Sequence, residues 1–248
     1  MPAWGMSRTL IVTGGSRGIG AAVVAMAAAR GWNVCFSWAS AQAEAAALAE
    51  RTGALAVQAD AATEAGTTAL FAACEARFGP PDAVVASAGI TGPLKPTAEQ
   101  TEADLNRVMA VNVTGTLLAA GALARVAAAH PGPKRSFVAL ASVAARTGGI
   151  VGNVVYAASK GALVTAVIGL GRELAPLGIR VNAVGPGLTA TDMLSYLAGG
   201  QTEMAAMASL VPLGALATPE EVADPILYLL SDGASHITGS TLYIAGGR

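Results

Sequence analysis

The sequence predicts an α/β protein built on a doubly wound, parallel, seven-stranded sheet with helices on both faces. Three observations predict it. Short runs rich in β-branched and apolar residues alternate with longer helical stretches along all 248 residues, so each strand is joined to the next by a crossover. These runs are apolar at successive positions rather than at alternate ones, as parallel strands covered on both faces require. No linker, charge block or shift of composition divides residues 1–248, which therefore read as one domain.

In chain order, "TLIVTGG" (Thr9 to Gly15) is the first strand and residues 18–30 the first helix. "NVCFSW" (Asn33 to Trp38) is followed by a helix over 41–51, and "ALAVQAD" (Ala54 to Asp60) by one over 64–78. The fourth strand, "DAVVASAG" (Asp82 to Gly89), precedes one long helix over 101–130. "SFVALAS" (Ser136 to Ser142) leads to a helix over 155–175, and "IRVNAVGPG" (Ile179 to Gly187) to one over 219–230. That last helix carries its own start signal: Thr218 as N-cap, Pro219 at the first helical position and Glu221 completing a capping box. "STLYIAGG" (Ser240 to Gly247) is the seventh strand. Right-handed crossovers then place ligand sites at the carboxyl ends of the strands.

Composition narrows the function classes. The chain is 53% hydrophobic and 12% charged, with a net charge of −1, which offers no electrostatic reason to expect nucleic acid or an anionic membrane as partner. No uninterrupted apolar run approaches the ~18–20 residues of a membrane span, and Met1 to Arg8 lacks the pattern of a signal peptide. Two cysteines, Cys35 and Cys74, are too few for a disulfide framework, and a cytoplasmic setting is expected. His130 and His236 show no metal-ligand spacing, so no metal is expected.

Chemistry concentrates in a few places. "TGGSRGIG" (Thr13 to Gly20) follows the first strand and opens the first helix. Gly14, Gly18 and Gly20 let the backbone turn tightly and approach a pyrophosphate, which the free N–H groups of the helix N-terminus then hold. At the end of the second strand, "FSWASAQA" has no acid before Glu44. An acid there would bind the ribose hydroxyls of NAD; Arg17 and Ser40 are available instead to a 2′-phosphate, which favours NADP(H) over NAD(H). In "YAASKGA", Tyr156 and Lys160 stand four apart and share a helix face. Either the ammonium lowers the pKa of the phenol and makes it a usable acid, or Tyr156 is packed and Lys160 solvated.

These motifs, with Ser142 near a strand end and "VNAVGPGLTATDM" (Val181 to Met193), resemble the compact short-chain dehydrogenases/reductases, from about Arg8 to Gly247. The resemblance implies a Rossmann-like fold and an NADP(H)-dependent oxidoreductase of ketones and secondary alcohols, similar to 3-oxoacyl-thioester reductases and sugar dehydrogenases. It implies Tyr156 as general acid/base, Ser142 holding the substrate oxygen, Lys160 on the nicotinamide ribose and Asn112 supporting a water-linked proton relay. It implies a cofactor wall of Gly14, Ser16, Arg17, Gly18, Ile19 and Gly20, then Ser40, Asp60, Ala61 and Gly89. Tyr156, Lys160, Pro186, Gly187, Thr189 and Thr191 complete that wall. It also implies a small-molecule substrate and a homotetramer.

Three positions depart from the family pattern: "ASAG" (Ala86 to Gly89) loses two asparagine amides, Ala141 replaces the first of paired serines, and Ala245 replaces an acid in the tail. A non-catalytic cofactor-binding regulator, an NAD-dependent sugar or polyol dehydrogenase, and a lyase or epimerase are the competing readings; an intact Ser142, Tyr156 and Lys160 argues against the first. Residues 188–213 read as a substrate lid whose Met193, Leu194, Tyr196, Leu197, Met204, Met207 and Leu210 either face the substrate or pack a helix pair. The small and apolar surface of the helix over 157–174, with that over 112–130, predicts a two-fold interface.

Overall fold

The computed structural model describes residues 8–132 and 134–248; the expectation about a signal peptide at Met1 to Ser7 lies outside them. The strands are β1 (Thr9–Thr13), β2 (Asn33–Trp38), β3 (Leu55–Gln58), β4 (Ala83–Ala86), β5 (Arg135–Leu140), β6 (Ile179–Pro186) and β7 (Thr241–Ile244). They form one sheet in the order β3-β2-β1-β4-β5-β6-β7, and every neighbouring pair is parallel. This is the predicted fold class.

The long helices are α1 (Gly18–Ala29), α2 (Gln42–Thr52), α3 (Glu64–Phe78), α4 (Glu102–Met109) and α5 (Gly115–Ala129). After a single turn, α6 (Ala144–Thr147), come α7 (Val154–Leu174), α8 (Asp192–Ala198), α9 (Gln201–Ala206) and α10 (Pro219–Leu230). The capping box at Thr218 and Glu221 is present; a second one, formed by Thr101 and Asp104, starts α4.

Alternate residues of each strand enter two separate cores, which is why the strands look apolar throughout. Leu10, Val12, Val34, Phe36, Val85 and Val138 join α1 and α10 in one core. Ile11, Cys35, Val84, Phe137, Ala139 and Val181 join α3, α5 and α7 in the other. Each fully buried Val, Leu, Ile or Phe contributes about 1.5–3 kcal/mol, so both faces of the sheet are held by apolar contact alone. Cys35 and Cys74 are buried free thiols in the second core.

Two expectations are corrected. The predicted strands ended too late: Gly14 and Gly15, Ser87 to Gly89, and Ala141 and Ser142 lie beyond β1, β4 and β5. They lie past the last paired strand positions, although the Gly15 N–H still donates to the Ser37 carbonyl at 2.9 Å and the Ala141 N–H to the Val184 carbonyl at 2.8 Å; Gly14 takes a φ of 65°. The single helix predicted over 101–130 is interrupted by a π turn over Ala110–Thr114 between α4 and α5. Such a turn carries one extra residue and re-aims what it holds, here Asn112.

Glu102–Ala129 and Val154–Leu177 are long and apolar enough to cross a membrane by length and composition, with mean hydropathies of 1.4 and 1.6. Asn112 and Arg125 interrupt the first span and Lys160 and Arg172 the second, so neither is an unbroken apolar run. Both helices pack one side on the sheet. Their other sides leave Leu105, Met109 and Leu117, and Val154 and Ile168, exposed.

Candidate active site

The sheet order reverses between β1 and β4, neighbours whose chains leave for opposite faces. A crevice opens there at the carboxyl ends of the strands, and the structure has a cavity of about 710 Å³ at that place.

Its first wall is the glycine turn. Arg17 is the N-cap of α1 and makes no side-chain cap hydrogen bond, so the first N–H groups of the helix are free and Gly18, Ile19 and Gly20 border the cavity. Gly14 and Ser16 border it too. The turn is pinned from β2, because the Gly14 N–H donates to the Ser37 hydroxyl at 3.2 Å and the Gly15 N–H to the Ser37 carbonyl at 2.9 Å. A Cβ on Gly14 would stand 2.7 Å from the Ala88 Cα, and one on Gly20 2.3 Å from the Gly14 carbonyl oxygen. Neither can be accommodated, so these glycines are required by close approach.

The second wall comes from the ends of β2 and β3. Trp38, Ala39, Ser40, Asp60 and Ala61 border the cavity, and Arg17 and Ser40 are solvent-exposed there. Asp60 accepts a hydrogen bond from the Ala62 N–H at 3.0 Å and pairs with Arg107 at 3.4 Å. Sequence reasoning missed Arg107, which is on α4, because its partner is 47 residues away.

The remaining wall holds the polar residues of β5 and α7. Ser142, Tyr156 and Lys160 all border the cavity, with Gly89, Pro186, Gly187, Thr189 and Thr191 around them. The Ala144 N–H donates to the Ser142 hydroxyl oxygen at 3.1 Å. Lys160 is buried and its ammonium donates to the Leu140 carbonyl, while standing 5.6 Å from the centre of the Tyr156 ring. Ala245, one of the departures from the family pattern, packs against Gly187: a Cβ there would meet the Ala245 Cα at 2.9 Å.

The electrostatics differ from the expectation that Lys160 lowers the Tyr156 pKa. Burial pushes the phenol up, and the hydrogen bond from Ser142 pulls it partly back. Burial also holds the Lys160 ammonium down at about 8. Both groups resist carrying charge in an apolar wall, and the ammonium is turned to a carbonyl.

Asn112 stands behind Gly89, where an added Cβ would meet the Lys160 Nζ at 3.4 Å and the Asn112 Oδ1 at 3.5 Å. It does not border the cavity but lies fully buried behind it. Its carboxamide accepts from the Ile90 N–H at 2.9 Å and donates to the Ile90 carbonyl at 2.9 Å and the Ser159 hydroxyl at 2.9 Å. Ser159 in turn donates to the Tyr156 carbonyl at 2.7 Å. The side chain therefore braces α7 against the segment after β4.

Of the lid residues, Met193, Leu194, Tyr196 and Leu197 border the cavity, whereas Met204, Met207 and Leu210 do not. Asn153, which sequence reasoning also missed, borders it three residues before Tyr156. Its position at the head of α7 was the available signal.

The sequence profile of a family described as Enoyl-(Acyl carrier protein) reductase matches residues 14–248. An uncharacterised oxidoreductase of Escherichia coli K12, YgfF, is 38% identical over 96% of this chain and 98% of its own. A short-chain dehydrogenase/reductase from Serratia marcescens shares the fold with a TM-score of 0.87 at 34% identity, over 97% of each chain. A blue fluorescent protein from a metagenomic library, solved in complex with NADPH, matches with a TM-score of 0.86 at 31% identity, over 97% of each chain.

The lowered Lys160 pKa has a measurable consequence. The unfolded chain keeps this proton up to about pH 10.5, while the folded chain releases it near 8. Between those values the unfolded chain binds more protons, so this site's contribution to stability rises with pH; below 8 the full penalty of the buried charge is present. Lys160→Met should therefore raise the melting temperature of the ligand-free protein at pH 7, with the gain shrinking toward pH 10.5. Melting curves across that range check it.

Proposed function

The chain belongs to the short-chain dehydrogenase/reductase family and is an oxidoreductase of the alcohol–carbonyl pair; from that premise we propose that it reduces a ketone with NADPH, with Tyr156 as the proton donor. The observation that carries the proposal is the convergence of Ser142, Tyr156 and Lys160 on one cavity at the reversal of the sheet.

The residues fit the cofactor. The free N–H groups at Gly18 to Gly20 and the closeness of Gly14 to Ala88 leave a backbone cradle for a pyrophosphate. Bound NADPH supplies the hydride. The Ser142 hydroxyl donates to the substrate oxygen, and the Tyr156 phenol, held protonated at neutral pH by burial, gives that oxygen its proton. Lys160 holds the nicotinamide ribose. Asn112 positions Tyr156 by fixing α7 through Ser159.

Preference for NADP(H) is supported by the end of β2, where Ser37 to Ala41 border the cavity without a carboxylate and Arg17 faces the same space. Residues 188–213 act as a lid, of which α8 contributes Met193, Leu194, Tyr196 and Leu197 to the cavity. The exposed apolar residues of α4 and α5 and of α7 support a two-fold interface within a homotetramer, since an apolar face of this kind is seldom left in water. A cytoplasmic setting agrees with two free, buried cysteines.

Three measurements test this reading. Tyr156→Phe keeps the ring and removes the proton, so turnover with ketones should fall by ~10²–10⁴-fold, while the protein still folds and binds NADPH by fluorescence titration. Near-full ketone reduction by this variant would remove the proton donor from the mechanism. Binding of NADPH should be tighter than that of NADH by about 1–3 kcal/mol, a charge-assisted hydrogen bond's worth, and Arg17→Ala should erase most of the difference; equal affinities in the wild type would contradict it. Sedimentation at micromolar concentration should show a tetramer, and replacing Leu117 and Ile168 by Asp should dissociate it. A monomeric wild type would end the assembly proposal.

A further inference from the structure

Beyond β7 the chain doubles back. Gly246 and Gly247 take φ values of 60° and 92°, a left-handed pair that other residues rarely adopt. The turn is fixed to the foot of the lid segment: the Leu213 N–H donates to the Gly246 carbonyl at 3.1 Å, and the Arg248 N–H closes the turn on the Ala245 carbonyl at 3.2 Å. A Cβ on Gly246 would stand 2.5 Å from the Val211 Cγ1. With Ala245 also packed on Gly187, the turn returns Arg248 to the cavity, which it borders.

Arg248 is exposed and takes part in none of the ion pairs among the described residues. Residue 245, the first of the turn, is alanine, so the turn itself holds no carboxylate side chain. The other charges on the cavity wall are engaged or remote. Asp60 pairs with Arg107, and Lys160 is turned to the Leu140 carbonyl. Asp192 lies in the first turn of α8, where the helix dipole favours a carboxylate. Arg17 stands at the glycine turn.

The order of the strands says which end of a ligand Arg248 meets. The glycine turn follows β1, Ser142 follows β5 and Arg248 follows β7. Neighbouring strands lie about 4.8 Å apart, so the chain leaves β7 about 19 Å from the pyrophosphate cradle and about 10 Å from the end of β5. That is the substrate's side of the cavity. Val143, Leu188, Leu194 and Leu197 make the wall there apolar. Beside such a wall less water screens a charge, and a planar guanidinium matches a carboxylate with two parallel hydrogen bonds.

Resting on the oxidoreductase reading above, we propose that Arg248 is a specificity-determining residue: its guanidinium receives a carboxylate that the substrate carries several bonds from the reacting carbonyl. The preferred substrates are then keto acids, and in the reverse direction hydroxy acids whose two functional groups are well separated.

Matched ketones test it: levulinate and para-acetylbenzoate, each against its methyl ester, reduced with NADPH by the full chain at low salt. In the wild type, kcat/KM should be higher for the acid by about three- to tenfold. The preference should shrink as salt rises from about 0.01 M to about 0.15 M and the screening length falls from about 30 Å to about 8 Å. Arg248→Gln should bring the ratio to about one, Arg248→Glu should invert it, and Arg248→Lys should keep part of it. Melting temperature and NADPH affinity should hold in all three variants, because the residue is exposed and far from the cradle. Equal kcat/KM for acid and ester in the wild type would overturn the assignment, as would a ratio that survives Arg248→Gln or a proportional loss on both members. If no ketone is reduced with NADPH, the proposed reduction fails and this assignment with it. If ketones are reduced with no preference for the acid, only this assignment fails.

Discussion

Two parallel strands that lie side by side and send their chains to opposite faces cannot have the space beyond their ends filled by either crossover. That constraint operates between β1 and β4, and the rest of the molecule is arranged around it. The chain leaving β1 enters α1 on one face, and the chain leaving β4 goes on to α4 and α5, with α5 packed on the other face. Gly14 and Ala88 then meet at a distance that leaves no room for a side chain at residue 14. The cavity therefore has backbone at its base, and backbone N–H groups rather than long side chains face whatever enters.

The opposite wall is expensive to build. Lys160, Asn112 and Ser159 are buried polar groups in a core held by apolar contact, and an unsatisfied one costs about 1–3 kcal/mol. The structure satisfies them by connecting them. The π turn brings Asn112 to both polar groups of Ile90 and to Ser159, and Ser159 returns to the carbonyl of Tyr156. The helix bearing the phenol is thus tied to the segment leaving β4. Lys160 is held by a carbonyl alone, and the depressed pKa of its ammonium records the remaining cost.

The interior positions of all seven strands, the glycine turn, the caps at Thr218 and the Tyr156–Lys160 pair were legible in the sequence, because each depends on local rules: periodicity, absence of a Cβ, a hydroxyl three residues before a carboxylate, or two residues a helical turn apart. The strand ends were not. Ser87 to Gly89 and Ala141 to Ser142 have strand-like composition, and nothing local says that the strands end before them and that they border a cavity. The π turn was equally hidden, since Ala110 to Thr114 would make an ordinary helix; within it Asn112 bonds to a backbone 22 residues earlier.

The sequence by itself determined the seven strands, their order and the long helices between them, because helix and strand periods and the reach of a cap act over a few residues. Tertiary structure alone decided how those side chains behave. Burial, which no local pattern sets, raised the Tyr156 pKa where the charge of Lys160 was expected to lower it. It also placed the Asn112 carboxamide behind Gly89, where it pairs with Ile90 and Ser159, and left the Asn153 Oδ1 buried without a partner. Solvation and hydrogen-bond pairing depend on groups far apart in the chain, and only the folded packing brings them together.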